Sequence, residues 1–170
     1  MNETDIKHLC FVVDGAPQGK ARPRFTRQGK TYTPLKTKNY EQHIAHRALQ
    51  AMYGTESLPE WERETEKPIF IAIEAVFPIP KSYTKTKRQA CLNGEQLPTV
   101  KPDVDNIVKV VGDALNDIAY KDDKQVVGCF VIKRYNQENE DPCINVSIGE
   151  IKATWLQKIF FTFKHKFLGW

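Results

Sequence analysis

The chain has 170 residues, a formal net charge of +4 and 41% hydrophobic residues. This length suits a single domain with a sizeable core, and no apolar stretch approaches the ~20 residues that a membrane span requires. The four cysteines lack the paired spacing of a metal site, and we expect them to be small buried residues in a reducing compartment. The polar amino terminus lacks the features of a signal peptide. We therefore expect a cytoplasmic protein.

The pattern of apolar residues and breakers predicts an α+β fold, with helices packed on a small mixed or antiparallel sheet. The last two strands are joined by the polar segment 136–142, which predicts that they form an antiparallel hairpin. The predicted apolar face of the first helix includes Leu49 and Tyr53. The predicted elements in chain order are a strand at 8–14, a helix at 40–53, a strand at 69–77, a helix from about 84 to 93, a helix that begins between 103 and 105, and strands at 125–135 and 143–148.

Basic residues are concentrated in the first third of the chain. Between residues 15 and 47, Glu41 is the only acidic residue among many lysines and arginines. Lys20, Arg22 and Arg24 alternate, so an extended backbone would project them to one side, where they suit the phosphates of a nucleic acid. This segment therefore predicts a DNA-binding surface, and the alternative is a solvated face.

Two aromatic residues, Phe25 and Tyr32, lie in the same basic segment. The segment contains too many breakers for a helix and is predicted to be a long loop. Its aromatic rings would either stack on an unpaired base or pack locally within the loop, and local packing is the preferred interpretation. A second basic run lies at 81–88, where DNA binding and a solvated face both stay open.

The stretch 101–127, KPDVDNIVKVVGDALNDIAYKDDKQVV, contains the chemically most informative pattern. Asp103 and Asp105 stand at the beginning of a segment with helical periodicity, where an Asp is a favoured N-cap. Steps of four residues from Asp105 place Lys109 and then Asp113 on the same helix face, opposite the apolar stripe. The predicted stripe is Val104, Ile107, Val108, Val111, Leu115 and Ile118.

Asp122 and Asp123 stand immediately before the strand predicted at 125–135. If that strand lies beside the helix, it brings a third carboxylate to the same end. Carboxylates brought together repel one another unless a cation lies between them, and oxygen ligands suit Mg²⁺ with a substrate phosphate. Aspartates with a lysine, without His or Cys, indicate metal-assisted phosphodiester hydrolysis. An acidic first turn alone, however, is more typical of helix capping or a solvated face.

Taken together, KPDVDNIVKVVGDALND and YKDDKQVV resemble the signature of the RusA family of Holliday-junction resolvases, small endodeoxyribonucleases common in phages and prophages. The upstream segment GAPQGKARPRFTRQGKTYTP resembles the amino-terminal part of many phage-type members. The resemblance covers most of residues 8–150, and it implies an endonuclease domain at 1–150.

The resemblance also implies roles for individual residues. The family's essential acids fall on Asp103, Asp105 and Asp123, which would hold Mg²⁺, or Mn²⁺ as a substitute, and orient the attacking water. Its essential lysine falls on Lys109, which would stabilise charge on the phosphate. Asp113 and Asp122 are accessory candidates, and Asp122 competes with Asp123 for the third ligand position. The candidate DNA-binding residues are Lys20, Arg22, Arg24, Arg27 and Lys101.

The implied activity is paired, symmetric nicking of four-way junctions with ligatable ends, in recombination, repair or phage DNA processing. Because such a junction has two-fold symmetry, a homodimer would place one active site on each of two opposed strands. One alternative is a protein that binds junctions or branched DNA with little or no nuclease activity, which the complete set of acids disfavours. Another is a nucleotidyl or glycosyl transferase with a DxD motif, although no nucleotide-binding glycine loop accompanies the motif.

Residues 151–170 lie outside the resemblance and are predicted to form a C-terminal extension. Apolar residues at helical spacing predict an amphipathic helix with lysines on its remaining surface. The preferred interpretation is a helix packed on its own domain or on a partner subunit, and the alternative is a helix on a membrane surface. The predicted apolar face contains Ile151, Trp155, Leu156, Ile159, Phe160, Phe163 and Phe167.

Overall fold

The computed structural model describes residues 8–54, 61, 63 and 66–154. These residues form three α-helices, a four-stranded sheet and a two-stranded sheet, which confirms the predicted α+β class. The elements in chain order are strand β1 (His8–Asp14), strands β2 (Arg24–Phe25) and β3 (Thr31–Tyr32), helix α1 (Leu35–Tyr53), strand β4 (Ile69–Phe77), helix α2 (Lys85–Leu92), helix α3 (Val104–Leu115), a 3₁₀ turn (Asp123–Gln125), and strands β5 (Val126–Tyr135) and β6 (Cys143–Glu150).

The main sheet has the strand order β1-β6-β4-β5, in which β4 and β5 run parallel and the other neighbours antiparallel. The predicted hairpin of β5 and β6 is therefore wrong, because β4 lies between them. The apolar run of β4 pairs on both sides, which makes it a central strand. The connection after β5 can pass the end of β4 because two strand spacings amount to only about 10 Å. There, the Asn136 N–H donates to the Phe77 carbonyl oxygen (2.8 Å).

One face of the main sheet carries the hydrophobic core. In β1 buried and exposed residues alternate, so Leu9, Phe11 and Val13 point into the core. Helix α1 packs on β1 and on α3, and α3 also packs on β5. Removal of this apolar surface from water, at ~25 cal/mol per Å², is the main term that holds the helices on the sheet.

Helix α1 begins at Leu35, directly after Pro34, rather than at the predicted residue 40. Its first turn carries no apolar periodicity and so gave no signal in the sequence. The Pro34 carbonyl oxygen closes this turn by accepting hydrogen bonds from two of its N–H groups. Of the predicted apolar face, Leu49 is 39% and Tyr53 78% exposed. The buried stripe is therefore narrower than predicted.

Helix α3 begins where it was predicted, with Asp103 at the N-cap position. Its buried stripe is rotated relative to the prediction, because Val104 is 46% exposed whereas Val110 and Ala114 are buried. Both sets of residues fit helical periodicity, and packing against α1 and β5 selects one of them. The buried residues are Ile107, Val110, Val111, Ala114 and Leu115.

On the opposite face of the main sheet, the two edge strands β1 and β5 expose apolar residues. Val12, Phe130 and Ile132 are exposed there and line a groove of about 420 Å³. The predicted burial of the cysteines is wrong for Cys10 and Cys129, which are both exposed. Cys10 faces away from the core on β1, and Cys129 lies on β5, which forms an edge of the sheet.

Two contacts attach Trp61 and the residue that follows β6 to the rest of the domain. Trp61 is buried and its Nε1–H donates to the Ala119 carbonyl oxygen (3.0 Å). After β6, Ile151 is buried and its N–H donates to the Pro68 carbonyl oxygen (3.0 Å). The tail helix predicted at 151–170 lies outside the described residues beyond Thr154, and the division at residue 150 stays a prediction. Among the helices that are described, none is long and apolar enough to cross a membrane.

Candidate active site and nucleic-acid interface

Asp103 and Asp105 lie at the beginning of α3 and are exposed. Although Asp103 occupies the N-cap position, its side chain makes no capping hydrogen bond to the described helix. Capping therefore does not explain this acid. Asp105 lies in the first turn, where its charge also complements the helix dipole. The two carboxylates are thus accessible to an external ligand at one end of the helix.

Lys109 and Asp113 follow on α3, each one helical turn further along. Lys109 is exposed, whereas Asp113 is half-buried and its Oδ2 lies 2.7 Å from Lys20 Nζ. Lys20 Nζ also donates to Glu41 Oε1 on α1. Burial alone would lower the pKa of Lys20, but hydrogen bonds to Asp113 and Glu41 outweigh it and raise the pKa above its usual value. Lys20 is therefore a charged bridge between the basic segment, α1 and α3.

The backbone beside Lys20 lies directly against α3. The Lys20 N–H donates to the Asn106 carbonyl oxygen (2.9 Å). A Cβ atom at Gly19 would lie 2.7 Å from Pro102 Cβ and 2.9 Å from Asn106 Cβ, closer than real Cβ contacts allow. Only glycine fits this approach. The roles of Gly19 and Glu41 were not predicted from the sequence, in which the available signals were the Gly-Lys pair and the single acid among many cations.

Asp122 and Asp123 have different environments at the 3₁₀ turn. Asp122 Oδ1 accepts from the Lys124 N–H (3.0 Å). Asp122 also forms a capping box with Gln125, in which Gln125 Oε1 accepts from the Asp122 N–H (3.2 Å). The hydrogen bond from the Lys124 backbone lowers the pKa of Asp122 below its usual value. Asp123 is exposed at the start of the turn. A structural role thus explains Asp122, and Asp123 stays the candidate for the third ligand.

Tyr120 lies fully buried behind these acids. Its Oη donates to the Gly112 carbonyl oxygen on α3 (3.0 Å). Burial raises the pKa of Tyr120, and the negative charges of Asp123 and Asp113 raise it further. The phenol therefore stays neutral, within electrostatic range of both acids. Tyr120 fixes the turn before Asp123 against α3. This role was not predicted from the sequence, because the residue falls in a predicted loop.

Lys133 fixes the loop that leads into α3. Its Nζ, on β5, donates to the carbonyl oxygens of Val100 and Pro102, the latter at 3.0 Å. These bonds hold the residues on both sides of Lys101, a predicted DNA contact that is exposed. The role of Lys133 was not predicted from the sequence, because the backbone that it contacts is distant along the chain.

The aspartates do not form a preassembled metal cage. Within the described ranges, no group of three or more His, Cys, Asp or Glu side chains lies close enough together to hold a metal ion. The carboxylates of Asp103, Asp105 and Asp123 nevertheless have the ligand type that Mg²⁺ prefers, and Mg²⁺ commonly takes one or two carboxylates together with waters and phosphates. The residues therefore fit the ion by donor chemistry.

The predicted long loop contains a small hairpin formed by β2 and β3. Residues 22–32 are all exposed, including the predicted DNA contacts Arg22, Arg24 and Arg27. Lys20 differs from them because its ammonium is paired with two carboxylates. The structure thus divides the predicted row of cations into an anchoring lysine and exposed arginines.

The aromatic rings of this hairpin are also exposed. Phe25 is 74% and Tyr32 46% exposed. The local packing that the sequence favoured for them is therefore wrong, because strands of two residues offer no surface large enough to cover the rings.

An α+β protein with exposed carboxylates and a lysine on one helix, beside a cationic hairpin, has the features of an enzyme that acts on nucleic acid. The sequence model of the family described as "Endodeoxyribonuclease RusA" matches residues 14–148, a range that includes every candidate site residue. The chain belongs to this family of endodeoxyribonucleases. A relative from Bacillus subtilis (strain 168), described as "Uncharacterized protein YqaN", is 38% identical over 150 residues, which cover 85% of this chain and 98% of that protein.

Proposed function

We propose that the protein is a Mg²⁺-dependent endodeoxyribonuclease that resolves four-way DNA junctions by paired, symmetric nicks, in recombination, repair or phage DNA processing. The observation that carries the proposal is the arrangement of α3. Asp103, Asp105 and Lys109 are exposed on a helix whose other side is buried, within the segment that matches the endodeoxyribonuclease family. Accessible carboxylates beside a lysine suit hydrolysis of a phosphodiester.

Asp103, Asp105 and Asp123 would hold Mg²⁺, with Mn²⁺ as a substitute. When bound, the ion supplies positive charge to a phosphate and lowers the pKa of a coordinated water. Because the described acids do not form a group of three, phosphate oxygens of the DNA and waters would complete the ligand set. We therefore expect the protein to bind the metal more tightly in the presence of DNA than in its absence.

Lys109 would act on the reacting phosphate itself. As a water oxygen bonds to phosphorus and the bond to the leaving oxygen breaks, negative charge grows on the non-bridging oxygens, and the Lys109 ammonium would neutralise it. Asp113 has a different role, because Lys20 occupies its carboxylate. This ion pair would position the face of α3 that carries Lys109.

Resolution of a junction requires two incisions on opposed strands. A homodimer with two-fold symmetry would match the symmetry of the junction and present one site to each strand. The exposed arginines of the hairpin would bind phosphates near the incision, as Lys101 would at the start of α3.

A second candidate function is binding of junctions or branched DNA with little or no cleavage. The lack of a three-acid group among the described residues favours this candidate, because a protein that only binds DNA needs no metal cage. Family membership favours the nuclease instead.

The test is incubation of the protein with a labelled four-way junction and with a linear duplex, each with and without Mg²⁺. We expect symmetric pairs of nicks in the junction, only with the metal, and little cleavage of the duplex. Junction binding without cleavage in either Mg²⁺ or Mn²⁺ would support the binding-only candidate. Equal cleavage of both DNAs would show that the protein is a nuclease but would contradict its proposed specificity for junctions.

A further inference from the structure

The segment 24–32 is an ordered hairpin and not an irregular loop. Its turn is closed by hydrogen bonds from the Thr26 N–H to the Lys30 carbonyl oxygen (2.8 Å) and from the Gly29 N–H to the Thr26 carbonyl oxygen (3.0 Å). Gly29 has φ +78°, a conformation that glycine adopts without strain. The turn therefore holds the two short strands in a defined register.

The two aromatic residues project from opposite faces of this hairpin. Arg24 pairs with Tyr32, and Phe25 pairs with Thr31. Cross-strand partners share a face, and successive residues alternate between faces. Phe25 and Tyr32 therefore lie on different faces, although both are exposed. A ring exposed on each side of one hairpin indicates a ligand that offers two apolar surfaces.

The charge around the rings restricts the chemistry of that ligand. No Asp or Glu occurs from residue 15 to residue 40, and the hairpin and its approach expose Arg22, Arg24, Arg27 and Lys30. A ligand with flat apolar faces and closely spaced negative charges is a nucleic acid, whose bases stack on aromatic rings and whose phosphates bind arginine.

The base of the hairpin is attached next to the candidate active site. Gly19 and Lys20 contact α3 through Asn106 and Asp113. From Lys20 to Phe25 the chain spans at most roughly 17 Å when extended. The rings therefore lie within a short distance of the helix that carries the candidate catalytic groups.

We propose that this hairpin recognises the branch point of the DNA. It enters a discontinuity in the duplex, where Phe25 and Tyr32 stack on the bases exposed on its two sides and the arginines bind the flanking phosphates. A continuous duplex offers such base faces only after unstacking, which costs free energy. The hairpin is thus a specificity-determining element, distinct from the residues that cleave. This inference rests on the proposed action on branched DNA.

The experiment measures binding without divalent metal, so that cleavage plays no part. The probes are a four-way junction with 2-aminopurine at its branch point and a linear duplex with 2-aminopurine in the same sequence context. The variants are Phe25→Ala, Tyr32→Ala and their combination. Tyr53→Ala is the matched control, because Tyr53 is 78% exposed at the end of α1. Phe25→Tyr and Tyr32→Phe keep a ring at each position.

We expect the wild type to change the fluorescence of the junction probe and not of the duplex probe. Each alanine substitution is expected to weaken junction binding about tenfold, the effect of one lost base–aromatic stack, with duplex binding unchanged. Tyr53→Ala and the ring-retaining variants are expected to bind like the wild type. If an alanine variant melts early, Phe25→Leu, which keeps apolar bulk without a ring, is expected to show the same loss.

Equal loss on both DNAs, or no loss in the alanine variants, would overturn the inference. Different outcomes would contradict the proposed nuclease function. If the rings select junctions but the protein never cleaves them, the role inferred for the hairpin is supported and the proposed nuclease function is wrong. If the protein cleaves junctions and its alanine variants keep full junction preference, only the role inferred for the hairpin is wrong.

Discussion

The helix α3 and the β2–β3 hairpin are held in opposite ways. Helix α3 buries one side against α1 and β5, and contacts from Lys133 and Tyr120 fix the loops at its two ends. The hairpin exposes all of its residues and is anchored at Lys20. Groups that cleave a bond must be in position before the substrate arrives, whereas a surface that binds irregular DNA gains from side chains that can adapt. We therefore expect catalysis and recognition to be separable by mutation.

The largest expected effect is at the start of α3. Asp105→Asn retains the shape of the side chain but loses the charge proposed to hold the metal, so junction cleavage should fall by more than about a hundredfold while junction binding persists. The matched control is Asp141→Asn, an exposed acid on the connection between β5 and β6. Cleavage rates under single-turnover conditions check the prediction. Cleavage by Asp105→Asn at the wild-type rate would show that the site is assigned wrongly.

Lys109→Ala is expected to lower the cleavage rate about a hundredfold at saturating junction, the cost of removing one group that stabilises the transition state. Binding of the junction should change little, since one cation among many is lost. Lys152→Ala, an exposed lysine after β6, serves as the control. A loss that appears only in junction affinity would assign Lys109 to recognition and weaken the contrast between the two regions.

The exposed arginines should act on affinity and its salt dependence. If Arg22, Arg24 and Arg27 bind phosphates, each arginine replaced by alanine should lower the slope of log affinity against log salt by roughly 0.9. Lys20→Met should change the slope much less, because Glu41 and Asp113 already neutralise Lys20. Titrations at several salt concentrations test both statements. An equal change for Lys20→Met and for one arginine would mean that Lys20 leaves its carboxylates to bind DNA.

The smallest expected effect concerns the ion pair that joins the two regions. Because the folded pKa of Lys20 is raised above its usual 10.5, its stabilising contribution is complete below pH 10.5 and is lost as the pH rises through the folded value. The difference in melting temperature between the wild type and Lys20→Met should therefore be constant from neutral pH to about 10 and then narrow. If the difference in melting temperature between the wild type and Lys20→Met does not narrow at alkaline pH, the assigned ion pair is contradicted.

The amino-acid sequence by itself determined the start of α3, the strands β1, β4 and β6 and the family signature. These features depend on local patterns: apolar periodicity over one element, a proline before a helix, and acids at fixed spacing. The same periodicity left the rotation of α3 undecided, since Val104 and Val110 both fit a helical stripe. The sequence also suggested Asp123 over Asp122, and the capping bonds of Asp122 support that choice.

Only the tertiary structure decided the position of β4 between β5 and β6 and the partners of Lys20, Lys133 and Tyr120. A short polar connection is compatible with either a hairpin or a crossing, and the crossing places the largely apolar strand β4 inside the sheet, paired on both sides. Likewise, a lysine in a basic segment carries the same local signal whether it meets a phosphate or a carboxylate. Lys20 pairs with Asp113 because folding brings together residues that are distant along the chain. Local sequence patterns do not predict that contact.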